Sequence, residues 1–420
     1  MKKSFYNTYL QINNDYFLYF NSVTASYIIL TKTKHCLFTD KDVNSLKKEN
    51  PDIYLKLLDN GFIVPYHSDK EEMNVIKFNR EKRKYSISEY EVIIMPTLDC
   101  NLNCWYCCET KIENTYMSSN IRNKILKHLE NKYSLEPYSI LKLNFFGGEP
   151  LLFSNKIVIP LIKQILKFIS NKSISLIIGF TTNGTLISDE LIDILQNLQV
   201  NFQITIDGGQ EKHNKVRFYK KNHTSTYQDI IHNIYKINTL NNVSITIRIN
   251  YDNNTLFKLE NLLTDLNNLN KNRLLIDLVK IFQVDNEKIE EEQLKNVIKE
   301  IKENGFTISN FLNPNNYTCY ADNYNQVSFN YDGKVNKCNF IDFTKAEEEG
   351  KLMENGMIIW NDEKLACRLL ARIPKNCNIC KLLPSCPGIC TQKILQGSTN
   401  CFFGNKSKDE IIIENFELIN

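Results

Sequence analysis

Five apolar runs set the limits on this chain: EVIIMPT, ILKLNFFGG, ISLIIGFTTNG, VNFQITIDGG and VSITIRINYD, each followed closely by Gly, Asn or Asp. Between them lie amphipathic stretches such as NIRNKILKHLENK, VIPLIKQILKFISN and DELIDILQNL. Strand-length runs alternating with helix-length stretches predict repeated βα units and a parallel sheet. The polar residues of interest gather where the strands end. In a barrel built this way that end is the C-terminal face, where active sites form. This α/β region runs from 91 to 305 and closes with the helical stretch EKIEEEQLKNVIKEIKENG.

The flanks read differently. Residues 1–90 hold the runs YFLYF and SYIIL, a helical stretch DVNSLKKENPDIYLKLLDN and then GFIVP, which predicts a small α+β unit. The polar segment HSDKEEMNVIKFNREKRKYS reads as a linker or a loosely attached extension. Residues 306–420 are irregular and cysteine-rich. They offer little apolar material for a large core, so metal sites are a natural source of stability there.

With 420 residues the chain is long enough for two or three domains. A net charge of +3 gives no reason to expect nucleic acid or an anionic membrane as a partner. Lys2 and Lys3 are followed by Asn7, Gln11, Asn13, Asn14 and Asp15, which break any signal-peptide apolar core, and no run reaches the length of a membrane span. The expected location is the cytoplasm. The 13 cysteines are then expected to stay reduced, and clustered ones to bind metal or do chemistry.

The first cluster is TLDCNLNCWYCCET, which spaces Cys100, Cys104 and Cys107 as C-x3-C-x2-C after a strand. Three thiolates so placed can hold three irons of a [4Fe–4S] cubane and leave the fourth open, whereas four would close it. Taken alone, the three also fit a partial zinc site. Downstream come FFGGEP (Phe145–Pro150), TTNGT (Thr181–Thr185) and ITIDGGQEKHNKVR (Ile204–Arg217). Gly147 and Gly148 suit close backbone approach to a ligand, and equally a plain strand-end turn.

These motifs, in this order, resemble those of the radical S-adenosylmethionine (SAM) superfamily. The resemblance implies a partial (β/α)6 TIM-like barrel whose open iron chelates the amino and carboxylate groups of SAM. Reductive cleavage of the sulfonium then yields a 5′-deoxyadenosyl radical that abstracts hydrogen. It also implies that Gly147, Gly148 and Glu149 hold the SAM amino group. Asn183, Thr205 and Asp207 would face the cofactor, with Thr205 where the family usually has Ser. His213 and Arg217 match an H-x3-R turn that either pins a loop or touches ligand, and Arg248 is a candidate partner for a carboxylate. Cys108 is left as a small packing group.

In the C-terminal third, Cys319 precedes Gly333 and Cys338 in a G-x4-C element. Cys377, Cys380, Cys386 and Cys390 follow as C-x2-C-x5-C-x3-C, and Cys401 ends the series. A zinc ribbon shares the C-x2-C element. The full set of intervals resembles the SPASM domain, which carries auxiliary [4Fe–4S] clusters. By that resemblance Cys319, Cys338 and Cys390 bind one cluster, and Cys377, Cys380, Cys386 and Cys401 the other. No eighth cysteine occurs in TCYADNYNQ, so the first auxiliary cluster is expected to have an open iron or a non-cysteine ligand. Asp322 and Tyr320 are acid/base candidates beside it. Cys367, in the helix-like KLACRLLARI, reads as core.

The resemblance as a whole implies three [4Fe–4S] clusters, SAM, and a maturase that crosslinks a ribosomally made precursor peptide through a thioether or carbon–carbon bond. The N-terminal unit is similar to those of peptide maturases. It would bind a leader peptide by strand addition, or serve as a structural cap. A reducing partner such as flavodoxin or ferredoxin is expected. Two alternatives stand: an anaerobic sulfatase-maturating enzyme that forms formylglycine, and a non-catalytic member that presents peptides.

Overall fold

The computed structural model describes residues 1–253, 259–281, 283, 291–314 and 318–419. The chain forms two compact units. One comprises Met1–Ser86, Asn310–Tyr324 and Ala366–Asn420, and the other Ile87–Ser309 and Asn325–Leu365.

In the first unit, β1 (Lys2–Lys3) pairs antiparallel with β5 (Ile63–Val64). A second sheet is the antiparallel meander of β2 (Asn7–Gln11), β3 (Tyr16–Asn21) and β4 (Ser26–Thr31). Side chains alternate along a strand, so Phe17 and Tyr19 point to one face of β3 and Leu18 and Phe20 to the other. Helices Lys32–Asp40, Val43–Glu49 and Pro51–Asp59 cover the first face with Phe38, Val43, Leu46, Tyr54 and Leu57. Thr31 and Asp42 cap the first two helices, and Pro51 occupies the first position of the third, where it gives up no hydrogen bond. The second face packs on Leu312, Leu382, Ile411 and Ile412. Ser22 and Ser385 stitch the same contact through backbone carbonyls. The cysteine-bearing segments 310–324 and 366–420 thus share a core with the first strands of the chain.

The stretch expected as a linker is a helix of 16 residues, Asp69–Lys84, capped by Ser68. Its buried face is Glu72, Ile76, Arg80 and Lys84, at i, i+4 spacing. Three of these four are charged, so no apolar periodicity marks the helix in the sequence. Glu72 accepts from the Phe5 N–H at 2.9 Å and from Lys2 Nζ at 2.6 Å, and Arg80 donates to the Pro387 carbonyl at 2.9 Å.

The second unit is built on one sheet. Its parallel strands are β6 (Glu89–Ile94), β7 (Ile140–Phe145), β8 (Ser175–Thr182), β9 (Gln199–Thr205), β10 (Val243–Tyr251), β11 (Leu274–Lys280) and β12 (Thr307–Ile308), side by side in chain order. Helices separate them, among them Ser119–Leu135, Val158–Ile169, Asp189–Leu195, Tyr227–Asn238, Glu260–Leu266 and Glu291–Glu303. The alternation of strand and helix predicts this arrangement of βα units. On the far side of β6 the sheet continues into β13 (Gln326–Phe329), parallel to β6. The antiparallel strands β14 (Lys334–Asn336), β15 (Gly350–Leu352) and β16 (Ile358–Trp360) follow.

Register decides which residues meet at the strand ends. Phe145, Phe180 and Phe202 are direct neighbours on β7, β8 and β9, and their rings stack at 5.2 and 5.0 Å. Thr181, Gln203 and Thr205 therefore share the opposite face, as do Arg248 and Asn250 on β10. Beneath them Tyr90 of β6 bonds His128 Nε2 at 2.6 Å, and His128 Nδ1 meets the Gly356 carbonyl at 2.9 Å. Burial lowers the His128 pKa to about 4. Among the described residues no helix is long and apolar enough to cross a membrane.

Candidate active site

A cavity of about 260 Å³ opens at the C-terminal ends of the parallel strands. Its wall includes Cys100, Cys104 and Cys107 from the loop after β6, Gly147 and Gly148 after β7, Asn183 after β8, Thr205 on β9, and Arg248 and Asn250 on β10. Arg217 also lines it. The site residues expected from the motifs after β6–β10 are thus on one surface, except for Glu149, Asp207 and His213, which are buried behind it.

The cysteine loop is held by short polar contacts. Asp99 accepts the N–H of Cys100 at 2.8 Å and of Asn114 at 2.9 Å. The glycine pair presses on the same loop. A Cβ on Gly147, whose φ is +121°, would lie 2.3 Å from the Thr97 carbonyl oxygen, and one on Gly148 would lie 2.3 Å from that of Asp99. Backbone cannot yield that much, so these positions require glycine to bring the turn against the loop. Gly148 N–H and Glu149 N–H donate to Thr97 and Asp99 at 3.1 and 2.9 Å across this contact.

Glu149 lies beneath the cavity wall and is fully buried. Its carboxylate accepts from Leu151 N–H at 3.0 Å, Thr182 Oγ1 at 2.7 Å and Asn183 N–H at 2.8 Å. Burial pushes its pKa up, and these three donors oppose the shift. Asn183, so placed, donates to Asn101 Oδ1 at 2.8 Å and lies 3.8 Å from Cys100 Sγ. Glu149 therefore links the turn after β8 to the cysteine loop.

Asp207 is buried in the same way. It accepts the Tyr106 hydroxyl and, at 3.1 Å, the Asn250 N–H. Arg217 Nη1 donates to Tyr106 at 2.8 Å and lies 4.0 Å from Asp207. Burial raises the Asp207 pKa and Arg217 opposes the rise. His213 is a loop pin: its Nδ1 accepts the Asp207 N–H at 3.2 Å and its Nε2 meets Thr226 at 3.0 Å.

The donor set suits a cubane with SAM. Burial pushes Cys100 up to about 12, with nearby Glu149 adding to the shift; burial also raises Cys104, against Arg217 and Lys111. A buried thiol ionises when a metal takes the proton's place. Among the described residues no three His, Cys, Asp or Glu side chains converge on a single ion. A cubane does not ask for that, because each iron takes its own thiolate. Arg217 Nε is buried without a partner at the cavity wall, a donor for an anionic group.

The radical SAM superfamily model matches residues 94–266, from the end of β6 through β10 and the helix after it. The chain carries a radical SAM domain. That family implies one [4Fe–4S] cluster and SAM. An uncharacterised protein of Methanocaldococcus jannaschii is 30% identical over 152 residues, 36% of this chain and 49% of that protein. The match thus spans about half of that relative. Among solved structures, native anSMEcpe with bound AdoMet and Kp18Cys peptide is 19% identical, with a TM-score of 0.54 over 71% of this chain and 88% of that one. Streptococcus suis SuiB bound to precursor peptide SuiA is 13% identical, with a TM-score of 0.51 over 95% of this chain and 97% of that one. At these identities the likeness is one of fold, and the radical SAM fold is shared with both.

Outside the radical SAM domain the remaining cysteines divide between the units. Cys338 is buried in the unit of the large sheet, with its Sγ 3.8 Å from the Phe340 carbonyl. Cys319, Cys377, Cys380, Cys386, Cys390 and Cys401 belong to the other. Burial raises Cys386 to about 11, and Cys380, Cys401 and Cys377 add to the shift, so these four thiols are electrostatic neighbours. Cys319 opens a 3-10 turn, Tyr320–Asp322, and Asp322 Oδ2 accepts the Thr391 hydroxyl at 2.8 Å. Cys108 and Cys367 are exposed, which corrects the reading of both as packing residues. Cys108 instead belongs to the cavity wall, and Cys367 lies on the helix Asp362–Leu370 with its thiol outward.

Among the polar residues of the site that the sequence motifs did not mark are Tyr106 and Asn250. Tyr106 stands between Cys104 and Cys107, and that position was its one signal. Asn250 follows Arg248 by two residues on β10, and only the register of the strand brings it to the site.

Proposed function

We propose that this chain is a SPASM-type radical SAM maturase that crosslinks a ribosomally made precursor peptide. The observation that carries the reading is the single cavity in which the Cys100–Cys104–Cys107 triad meets Gly147, Gly148, Asn183, Thr205 and Arg248. The three thiolates would hold the cluster, and Arg248 and Arg217 would take the SAM carboxylate. Thr205 and Asn183 would orient the ribose and methionine parts, while Glu149 and Asp207 position the walls. When bound, the cluster and SAM supply the electron and the 5′-deoxyadenosyl group that removes a hydrogen atom from the peptide. A crosslink removes a second electron and a proton as well. Auxiliary clusters on the C-terminal cysteines, one of them on Cys377, Cys380, Cys386 and Cys401, would accept that electron and return it to a flavodoxin or ferredoxin.

Peptide as substrate is supported by the peptides bound in SuiB and anSMEcpe. Extent favours the maturase reading over sulfatase maturation: the SuiB likeness runs through 95% of the chain, the anSMEcpe likeness through 71%. The sheet β2–β4 with its three helices would bind the leader peptide along an open strand edge. The test is anaerobic incubation of the reconstituted protein with SAM, dithionite and short peptides encoded beside its gene. A product lighter by two hydrogen atoms, with 5′-deoxyadenosine formed in step, supports the proposal. Conversion of a sulfatase-derived Cys or Ser peptide to formylglycine, with no crosslink in any neighbouring peptide, overturns it in favour of sulfatase maturation.

A further inference from the structure

We infer that the open edge of β2 binds an extended peptide segment, and that an acidic side chain of this segment seats in the cleft lined by Lys3 and Lys381. The inference rests on the reading of this sheet unit as the leader-binding unit, and names the strand and the chemistry. Antiparallel neighbours exchange hydrogen bonds at every second residue. The Tyr6 carbonyl accepts from the Ser22 N–H at 3.3 Å, and the Ile12 N–H donates to the Tyr16 carbonyl at 2.9 Å. In the register of β2 on β3, Thr8 and Leu10 therefore face β3, and Asn7, Tyr9 and Gln11 turn their backbone groups to the open side. Asn7 is closed there: its N–H donates to the Ser4 carbonyl at 3.3 Å and its carbonyl accepts from Lys381 Nζ at 2.9 Å. Among the described residues the outward backbone groups of Tyr9 and Gln11 have no partner, and the Tyr9 side chain is 52% exposed. A strand edge with free donors and acceptors is a template for another chain.

The closed end of this edge opens into a cleft of about 380 Å³. Asn7, Thr8 and Tyr9 line it together with Lys3, Thr39 and Lys381, all within the first unit. Among the described residues of its wall, the charged ones are the two lysines. Each spends one N–H on a neutral carbonyl, Lys3 on Thr39 at 2.8 Å and Lys381 on Asn7, and forms no ion pair among the described residues. An ammonium has three donors, so two remain on each. Thr8 Oγ1 is buried without a partner. Burial lowers the pKa of both lysines. The carboxylates that oppose this act from outside the wall, Asp40 and Asp42 on Lys3 and Asp69 on Lys381. Asp69 is already paired with Lys2 at 2.9 Å, and Lys408 adds positive charge beside Lys381. A carboxylate fits such a cleft. An added strand puts every second side chain on one face, so a peptide paired with Gln11 and Tyr9 brings its residue level with Asn7 to the cleft.

The experiment titrates the full chain with fluorescein-labelled synthetic copies of the short peptides encoded beside its gene. Each Asp or Glu of a peptide that binds is replaced singly by Asn or Gln, and the protein is compared with its Lys3→Gln and Lys381→Gln variants. One acidic position should stand out, its loss weakening binding roughly 10- to 100-fold, as for a charged hydrogen bond. Each lysine variant should weaken the unaltered peptide in the same direction and discriminate less against the amide version. Should one variant fail to fold by circular dichroism, the other and the peptide series on the unaltered chain carry the test. Hydrogen exchange should slow at Tyr9 and Gln11 when the peptide binds. A peptide that binds yet tolerates every Asn and Gln replacement, or that protects Ser26–Thr31 in place of β2, would overturn the inference and leave the leader reading standing. Failure of every such peptide to bind the folded chain would overturn the leader reading and this inference with it.

Discussion

Replacing Glu149 separates two roles that the motif alone leaves merged. If its carboxylate is a structural pin, Glu149→Gln should destabilise the protein before any cofactor is added. The glutamine carbonyl can keep the Oε1 contacts with Leu151 N–H and Thr182 Oγ1. Its amide nitrogen then faces the Asn183 N–H, donor against donor, where Oε2 accepts at 2.8 Å. A buried donor left without an acceptor costs about 1–3 kcal/mol, and the two retained bonds weaken because the charge is gone. The sum is about 3 kcal/mol. Glu149→Ala orphans all three donors and should cost more. The assay is urea unfolding of cluster-free protein, extrapolated to water, paired with SAM binding by the reconstituted protein. SAM affinity should fall in step with stability, since Asn183 shifts and carries Asn101 with it. An unfolding midpoint equal to wild type combined with weakened SAM binding would refute the pin and make Glu149 a direct contact of SAM.

Replacing Cys100, Cys104 and Cys107 with Ala should abolish 5′-deoxyadenosine formation and remove about four irons per chain, both measured on anaerobically purified protein. Arg248→Gln should weaken SAM binding by roughly 10- to 100-fold, the worth of a charged hydrogen bond, with iron content unchanged by ferrozine assay. His128 titrates at 6.5 when unfolded and at about 4 when folded. The unfolded chain therefore binds more protons between those values, so stability is constant above the upper one and declines as pH falls toward the lower. The decline reaches about 3 kcal/mol. Urea midpoints across this range should show it, and His128→Gln should flatten it. Deleting residues 1–88 should cost iron from the C-terminal cysteines along with leader binding, because β3 buries Leu18 and Phe20 against Leu312, Leu382, Ile411 and Ile412. A soluble truncation with full iron would show that this shared core is dispensable.

What was legible in the sequence was what is local. Runs such as ISLIIGFTTNG and VNFQITIDGG become β8 and β9 because their apolar residues and terminal turns lie within a few positions of one another. The triad stands out because Cys100, Cys104 and Cys107 share one loop. Pairings between distant residues left no such mark. The strands β13–β16 have three or four residues each, too few to show a period, so their continuation of the sheet beside β6 was hidden. The helix Asp69–Lys84 was hidden for another reason: its buried face is mostly charged, and each charge is satisfied by groups far away in the chain. Glu149 was found as a motif residue, but its work as a pin depends on Thr182 and Asn183, some thirty residues later.

The shared core of the first unit also sets an order of events during synthesis. The sheet β2–β4 leaves the ribosome early, and its helices can cover one face at once. The other face, with Leu18 and Phe20, has to wait for Leu312, Leu382, Ile411 and Ile412. At 5–20 residues per second that delay is roughly 15–80 s. For that interval a half-clad apolar sheet rides on the nascent chain. Such a surface is a target for holding chaperones and a route to aggregation when expression is fast. Slower translation or a lower growth temperature should therefore raise the yield of soluble protein.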